Sequence, residues 1–112
     1  MFQLELKFQN LVIKQYSLQD GQTLIVGRDP GNDIVIRDPT VSRHHACIAR
    51  KGGALMVWDK GSSNGIVVNG VRVHSAKLAN GDVITIGAKY ALKASMIPTQ
   101  KKELTITAAK PP

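Results

Sequence analysis

The chain has 112 residues, 43% of them hydrophobic, and its 15 Lys and Arg against 8 Asp and Glu give a net charge of +7. These values predict one globular domain with its own core and exclude wholesale disorder. The positive charge favours an anionic partner, whether a phosphate group, a nucleic acid or an acidic surface.

The number of cysteines and the first residues of the sequence indicate the cellular compartment of the protein. The one cysteine, Cys47, cannot form an internal disulfide, which indicates a reducing compartment. Residues 1–7 place Glu5 where a signal peptide would have its apolar core. No apolar run approaches the roughly 18 residues of a membrane span. We therefore expect a cytoplasmic protein.

Short segments with the alternation of half-buried strands follow one another along the chain. The clearest is 2–8, where Phe and Leu at even positions alternate with polar residues. The predicted strands are 2–8, 12–18, 22–26, 34–36, 45–51, 54–59, 66–68, 71–73, 82–87 and 89–94. Turn formers separate them, and we assign type I′ hairpin turns to Asn69-Gly70 and Asn80-Gly81. Because no window shows a 3.6-residue period, the pattern predicts an antiparallel β-sandwich or barrel.

The strand pattern stops after Met96. We therefore divide the chain into a domain at 1–96 and a flexible basic tail or linker at 97–112, in which residues 104–107 keep some strand character. Between the strands lie short polar clusters rich in hydrogen-bond donors. If the strands form a sandwich, these clusters become loops gathered at one end, where binding residues usually sit.

The first cluster is Gly27-Arg28, directly after a strand. Arg28 presents a planar fork of donors that stays charged and can bind a phosphate through two hydrogen bonds. Gly27 allows the backbone to approach a neighbouring loop closely. The alternative for this fragment alone is a solvated surface arginine at a turn.

The second cluster is Ser42-Arg43-His44-His45. Ser42 and Arg43 can donate to phosphate oxygens. His45 begins a strand, and we interpret it as a structural residue that ties the loop backbone by hydrogen bonds, whereas His44 is expected to be exposed. A zinc site is not predicted, because no cysteine or third ligand stands at zinc spacing.

The third cluster, residues 61–65, has the Gly-x-Ser-x-Gly pattern of a hydrolase nucleophile elbow. That motif requires a helix after the turn and a large α/β fold, whereas here a β-branched run follows in a short chain. The remaining interpretations are a glycine-rich turn or an anion-facing loop that uses hydroxyl and backbone N–H groups. Asn64 carries both a donor and an acceptor for a peptide backbone. No pair of carboxylates suggests acid–base chemistry, so we expect no enzyme and no cofactor.

Together, the order and spacing of these motifs resemble the forkhead-associated (FHA) domain family over residues 3–95. They include the run Leu78-x-x-Gly81-Asp82-x-Ile84-x-Ile86-Gly87. The resemblance implies an all-β fold, an FHA/SMAD-like antiparallel β-sandwich of about eleven short strands whose apical loops bind phosphothreonine peptides. It assigns phosphate contacts to Arg28, Ser42, Arg43 and Ser63, a peptide-backbone contact to Asn64, and loop support to Gly27, His45, Gly65 and Asn69.

The function implied is a phosphothreonine-dependent protein–protein interaction module, a signalling adaptor without catalysis, which reads partners phosphorylated by a Ser/Thr kinase. Two alternatives remain. A phospho-independent scaffold would bind unmodified threonine equally well. A nucleic-acid-binding domain would show strong salt dependence, but the basic residues are scattered, and 4% aromatic residues offer no stacking platform.

Overall fold

The computed structural model describes residues 2–96 and shows only strands there. The eleven strands are β1 Phe2–Phe8, β2 Leu11–Leu18, β3 Thr23–Gly27, β4 Ile34–Val35, β5 Ala46–Lys51, β6 Ala54–Asp59, β7 Ile66–Val68, β8 Val71–Val73, β9 Ser75–Leu78, β10 Val83–Ile86 and β11 Tyr90–Met96. In this part of the chain no helix is long and apolar enough to span a membrane. The predicted all-β class with about eleven short strands is confirmed.

The strands form two sheets. One has six strands in the order β2-β1-β11-β10-β7-β8, and the other has five in the order β4-β3-β5-β6-β9. Neighbours are antiparallel except β3 and β4, which pair in parallel through Val26 with Ile34 and Gly27 with Val35. The fold is therefore a β-sandwich, and one short parallel pair departs from the predicted antiparallel pattern.

Alternation along the strands builds the core. In β1, Phe2, Leu4 and Leu6 are buried while the intervening polar residues are not, because successive side chains point to opposite faces of a sheet. The same alternation in both sheets brings together a single apolar cluster, whose most deeply buried members include Leu4, Val26, Ile48, Val57, Ile84 and Leu92. This core holds the two sheets in a fixed relation and so fixes the loops at their ends.

Strand β9, Ser75–Leu78, is absent from the strands that we predicted segment by segment. Its residues lack a run of β-branched side chains, and it forms by pairing with β6 through Leu78 opposite Leu55 and Ser75 opposite Trp58. Pairing with a strand distant in sequence, rather than local propensity, makes it a strand.

The two Asn-Gly pairs adopt different turns. Asn69 has φ +49° and Gly70 has φ +85°, as a type I′ turn between β7 and β8 requires. The same assignment for Asn80-Gly81 is wrong, because only Gly81 has a positive φ. Strands β9 and β10 lie in different sheets, so this connection is not a hairpin. Positive φ at the second central residue alone is the pattern of a type II turn.

The predicted tail at 97–112, with the strand character at 104–107, lies outside the described residues.

Candidate functional site

Three loops meet at one end of the sandwich and enclose a cleft of about 330 Å³. They are the β3–β4, β4–β5 and β6–β7 connections. The residues that line the cleft are Arg28, Pro39, Thr40, Val41, Ser42, Arg43, Gly61, Ser63 and Asn64. All five residues predicted to touch a ligand are among them. The structure therefore brings together side chains that lie up to 36 positions apart, from Arg28 to Asn64.

The β3–β4 and β4–β5 loops are joined through their backbones. The N–H of Arg28 donates to the carbonyl of Ser42 at 3.0 Å, and the N–H of Asp29 donates to the carbonyl of Arg43 at 3.2 Å. This approach leaves no space at Gly27, where an added Cβ would lie 2.1 Å from the Arg43 carbonyl oxygen. Gly27 is thus needed for the contact between two loops rather than for an unusual φ.

Arg28 is exposed and only partly engaged. Its Nε donates to the carbonyl of Val41 at 3.0 Å, which orients the side chain along the cleft. The terminal nitrogens of its guanidinium have no hydrogen-bond or ion-pair partner among residues 2–96. The nine lining residues include two arginines and no acidic residue. The cleft is therefore electropositive and offers free N–H donors.

Serine and asparagine side chains complete the wall of the cleft. The Ser42 hydroxyl oxygen accepts from the N–H of Ser63 at 3.0 Å, which leaves the hydroxyl proton free to donate. Asn64 Nδ2 donates to the carbonyl of Thr40 at 2.7 Å, which leaves its Oδ1 as a free acceptor. These two bonds close the β6–β7 loop onto the β4–β5 loop.

His45 joins the same two loops from inside the protein. It is the buried polar side chain of the described core, with 0% exposure. Its Nδ1 accepts from the N–H of Ser42 at 3.0 Å, so its Nε2 carries the proton and donates to the carbonyl of Gly65 at 2.7 Å. The neighbouring His44 is exposed and pairs with Asn32.

The glycine-flanked serine loop uses its two serines differently. The hydrogen-bonding groups of Ser62 are satisfied locally. Its N–H and hydroxyl both donate to Asp59 Oδ1, and its hydroxyl oxygen accepts from the N–H of Gly65. Ser63 lines the cleft. A strand, β7, follows this loop instead of a helix, so the geometry of a nucleophile elbow is absent.

Asn69 lies away from the cleft. Its Nδ2 donates to Asp82 Oδ1 at 2.9 Å, and its Oδ1 accepts from the N–H of Val83 at 3.0 Å. It therefore supports the turn before β10, and its side chain forms no hydrogen bond with the three cleft loops among the described residues. The carboxyl of Asp82 also accepts from the N–H of Ala79, and these bonds hold its pKa below the ordinary value.

Sequence reasoning missed the anchor of the β4–β5 loop. The Thr40 hydroxyl donates to Asp38 Oδ1 at 2.6 Å and accepts from the N–H of Ala88 at 2.9 Å, which ties this loop to the β10–β11 turn. The bonds from the Thr40 hydroxyl and N–H also lower the pKa of Asp38. The sequence Asp38-Pro39-Thr40 is typical of a turn, but it does not indicate the contact with Ala88.

A β-sandwich that presents two arginines and two serine hydroxyls between its end loops belongs to the class of phosphate-reading interaction modules, since clusters of this kind recognise phosphorylated motifs. The family model for the FHA domain matches residues 24–87. The chain belongs to the FHA domain family, whose members bind phosphothreonine and act as regulatory or adaptor domains.

Known relatives agree with this assignment. The glycogen accumulation regulator GarA of Mycolicibacterium smegmatis is 50% identical over 70 residues, which cover 62% of this chain and 44% of GarA. The FHA domain of the CT664 protein from Chlamydia trachomatis is similar with a TM-score of 0.79 and 31% identity, over 87% of this chain and 98% of that chain.

A second similar structure comes from an analysis of phosphothreonine-dependent FHA domain interactions. Its TM-score is 0.76 at 32% identity, over 87% of this chain and 97% of that chain. The chain spans about half the length, or less, of the first curated relatives that it matches. By family and by fold, the described part of the chain is an FHA domain.

Proposed function

We propose that the cleft between the three loops is the phosphothreonine site of this domain. In this proposal Arg28 and Ser42 contact the phosphate, Arg43 assists, Ser63 adds a hydroxyl donor, and Asn64 bonds the peptide backbone beside the phosphothreonine. The observation that carries the proposal is the convergence of two arginines and two serine hydroxyls in a cleft whose lining within residues 2–96 includes no acidic residue.

The chemistry of the phosphate matches these donors. A phosphothreonine carries about −1.5 to −2 charges near neutral pH and presents strong acceptor oxygens. Arg28 has free guanidinium nitrogens, and Ser42 has a free hydroxyl proton. Charge-assisted hydrogen bonds of this kind are roughly twice as strong as neutral ones. The site therefore selects a phosphorylated side chain over an unmodified one.

The loops hold these donors in place before the ligand arrives. Ser42 is fixed by His45 and by Ser63, and Asn64 is fixed by the Thr40 carbonyl. A preformed site loses less conformational entropy on binding than a mobile one. His45 and Gly65 support the site in this way without touching the ligand.

The partner is, in our proposal, a phosphorylated protein, and a Ser/Thr kinase acts upstream. The domain is an adaptor without catalysis of its own, it needs no metal or cofactor, and it works in the cytoplasm without binding nucleic acid or membrane.

Removal of the Arg28 side chain tests the site. We expect the wild-type chain to capture phosphothreonine peptides from an oriented library in preference to matched phosphoserine and unphosphorylated peptides. Arg28→Ala should lose roughly 30-fold or more in affinity, because truncating one partner of a charged contact costs about 2 kcal/mol or more. Isothermal calorimetry with one selected peptide measures the loss.

The matched control is Arg37→Ala, since Arg37 is exposed in the β4–β5 loop but does not line the cleft. It should keep the wild-type affinity, and both variants should keep the wild-type unfolding midpoint. Near-wild-type affinity in Arg28→Ala would overturn the site. Equal binding of the unmodified threonine peptide would favour the phospho-independent scaffold instead.

A further inference from the structure

A second recess lies beside the cleft, on the other side of the β6–β7 loop. It measures about 270 Å³ and is lined by Asp59, Gly65, Arg72, Val73 and His74. The two sites share this loop, since Asn64 lines the cleft and Gly65 lines the recess. Consecutive Cα atoms are about 3.8 Å apart, so the recess begins next to the residue that we propose bonds the peptide backbone.

Arg72 extends from β8 across the loop. In the β7–β8 hairpin Arg72 stands opposite Val67. Its guanidinium lies over Gly65, where an added Cβ would come within 2.7 Å of Nε and 2.8 Å of Nη2. Because Gly65 has no side chain and a φ of +74°, the guanidinium can rest against the loop backbone. This contact places a cation one residue away from Asn64.

Arg72 has no anionic partner within the described part of the chain. The ion pair found there joins His44 and Asp29 and does not involve Arg72. Asp59 lines the same recess, but its Oδ1 already accepts two bonds from Ser62. The Arg72 side chain is exposed and forms no hydrogen bond with other side chains or with backbone groups of residues 2–96. The recess thus offers free guanidinium donors, with the His74 ring beside them.

We propose that Arg72 is a specificity-determining residue that binds a second anionic side chain of the ligand, close to the phosphothreonine. This inference rests on the proposed function of the cleft. An extended peptide advances about 3.3 Å per residue, so the anionic residue stands within about four positions of the phosphothreonine. Its group is a carboxylate or a second phosphate, because both accept the planar fork of an arginine.

The test is a set of peptides with one phosphothreonine and neutral flanking residues. Glu is introduced at one flanking position at a time, from four before to four after the phosphothreonine, and a second series carries phosphoserine instead. Fluorescence anisotropy gives the affinity of each peptide for the wild-type chain, for Arg72→Gln and for Lys77→Gln. Lys77 is the control because it is an exposed cation on β9 that lines neither site.

The decisive quantity is the ratio of the affinities for the anionic and the neutral peptide. At one position we expect Glu to raise the affinity of the wild-type chain and of Lys77→Gln roughly 3- to 10-fold. Phosphoserine at that position should raise it more if the occupant is a phosphate, and no more than Glu if it is a carboxylate. In Arg72→Gln the ratio should fall close to one, and Arg72→Lys should restore part of it.

Two results would overturn the inference. The first is that no position responds to Glu or phosphoserine. The second is an unchanged ratio in Arg72→Gln. If this unchanged ratio came with an equal loss of affinity for all peptides and a lower unfolding midpoint, Arg72 would be assigned to loop support alone. The neutral phosphothreonine peptide separates failure of this inference from failure of the proposed function. If that peptide does not bind the wild-type chain, the proposed function fails; if it binds but the anionic residue has no effect, only the role of Arg72 fails.

Discussion

At the scale of single residues, Gly27 shows how loop packing dictates a residue type. A Cβ at this position would lie 2.1 Å from the Arg43 carbonyl oxygen and 2.7 Å from its carbonyl carbon. These atoms belong to the backbone, so they cannot move aside as a flexible side chain would. The hydrogen bonds from Arg28 and Asp29 to the same loop depend on this close approach.

We therefore predict that Gly27→Ala destabilises the domain. Overpacking of this kind costs about 1–3 kcal/mol or more, and separation of the two loops should also weaken phosphopeptide binding. Urea denaturation gives the free energy of unfolding. Gly31→Ala is the control in the same loop, because its Cβ would meet only Asp29 Oδ1 at 3.3 Å. An equal loss of stability in both variants would contradict the explanation.

The family resemblance in the order and spacing of polar residues predicted five of the nine residues that line the cleft, Arg28, Ser42, Arg43, Ser63 and Asn64. The partners of these residues were not predictable. Arg28 and Asn64 bond the backbone carbonyls of Val41 and Thr40. Every residue carries a carbonyl, so no sequence pattern marks the ones that a distant side chain will reach.

At the scale of elements, strands with strong alternation were predictable and the weakly patterned ones were not. The predicted bounds of β1, β6, β7 and β8 match the structure. Strand β9 was missed because its residues become a strand only by pairing with β6. The turn at Asn80-Gly81 was misassigned for a related reason, since the choice between hairpin and crossover depends on which sheet receives the next strand.

Two carboxylates hold turns and loops together, and their titration should make stability depend on pH. The N–H of Ala79 and the amide of Asn69 lower the pKa of Asp82, and the hydroxyl and N–H of Thr40 lower the pKa of Asp38. Each group ionises more readily in the folded state than in the unfolded state. Its contribution is therefore present above the ordinary pKa of 3.8 and is lost as the pH falls through the folded-state value.

We predict that the unfolding midpoint in urea declines as the pH falls from about 5 to about 3. Asp82→Asn should reduce this decline, because the variant cannot gain a proton at that site. Glu5→Gln serves as the control, since Glu5 lies in β1 and its carboxyl group accepts no hydrogen bond from the described residues. If Asp82→Asn responded to acid as strongly as the wild-type chain, the hydrogen bonds to Asp82 would not be the cause.

At the scale of the whole molecule, the cleft depends on how the two sheets pack. The β3–β4 and β4–β5 loops belong to the five-stranded sheet, whereas the β6–β7 loop crosses from that sheet to the six-stranded one. Ser63 and Asn64 therefore meet Arg28 and Ser42 only while the shared core holds the sheets together. His45 reinforces this relation from within, because its ring bonds both Ser42 and Gly65.

The sandwich should be complete without the residues that follow β11. Strand β11 lies between β1 and β10, and its end is fixed by the pairing of Met96 with Phe2 and by the bond from the Met96 N–H to Asn80 Oδ1 at 2.7 Å. Every described residue that lines the cleft lies within residues 28–64. We infer that residues 1–96 contain everything that folding and phosphopeptide binding require.

We accordingly predict that a chain ending at Met96 keeps the unfolding midpoint and the phosphopeptide affinity of the full chain. Thermal unfolding followed by circular dichroism, together with calorimetry, measures both. A chain ending at Lys89 is the matched control, because it lacks β11 and leaves β1 and β10 without their common neighbour. That chain should not fold, since the six-stranded sheet would be split in two. A lower midpoint for the chain ending at Met96 would show that residues 97–112 stabilise the folded domain, and the boundary would then have to move.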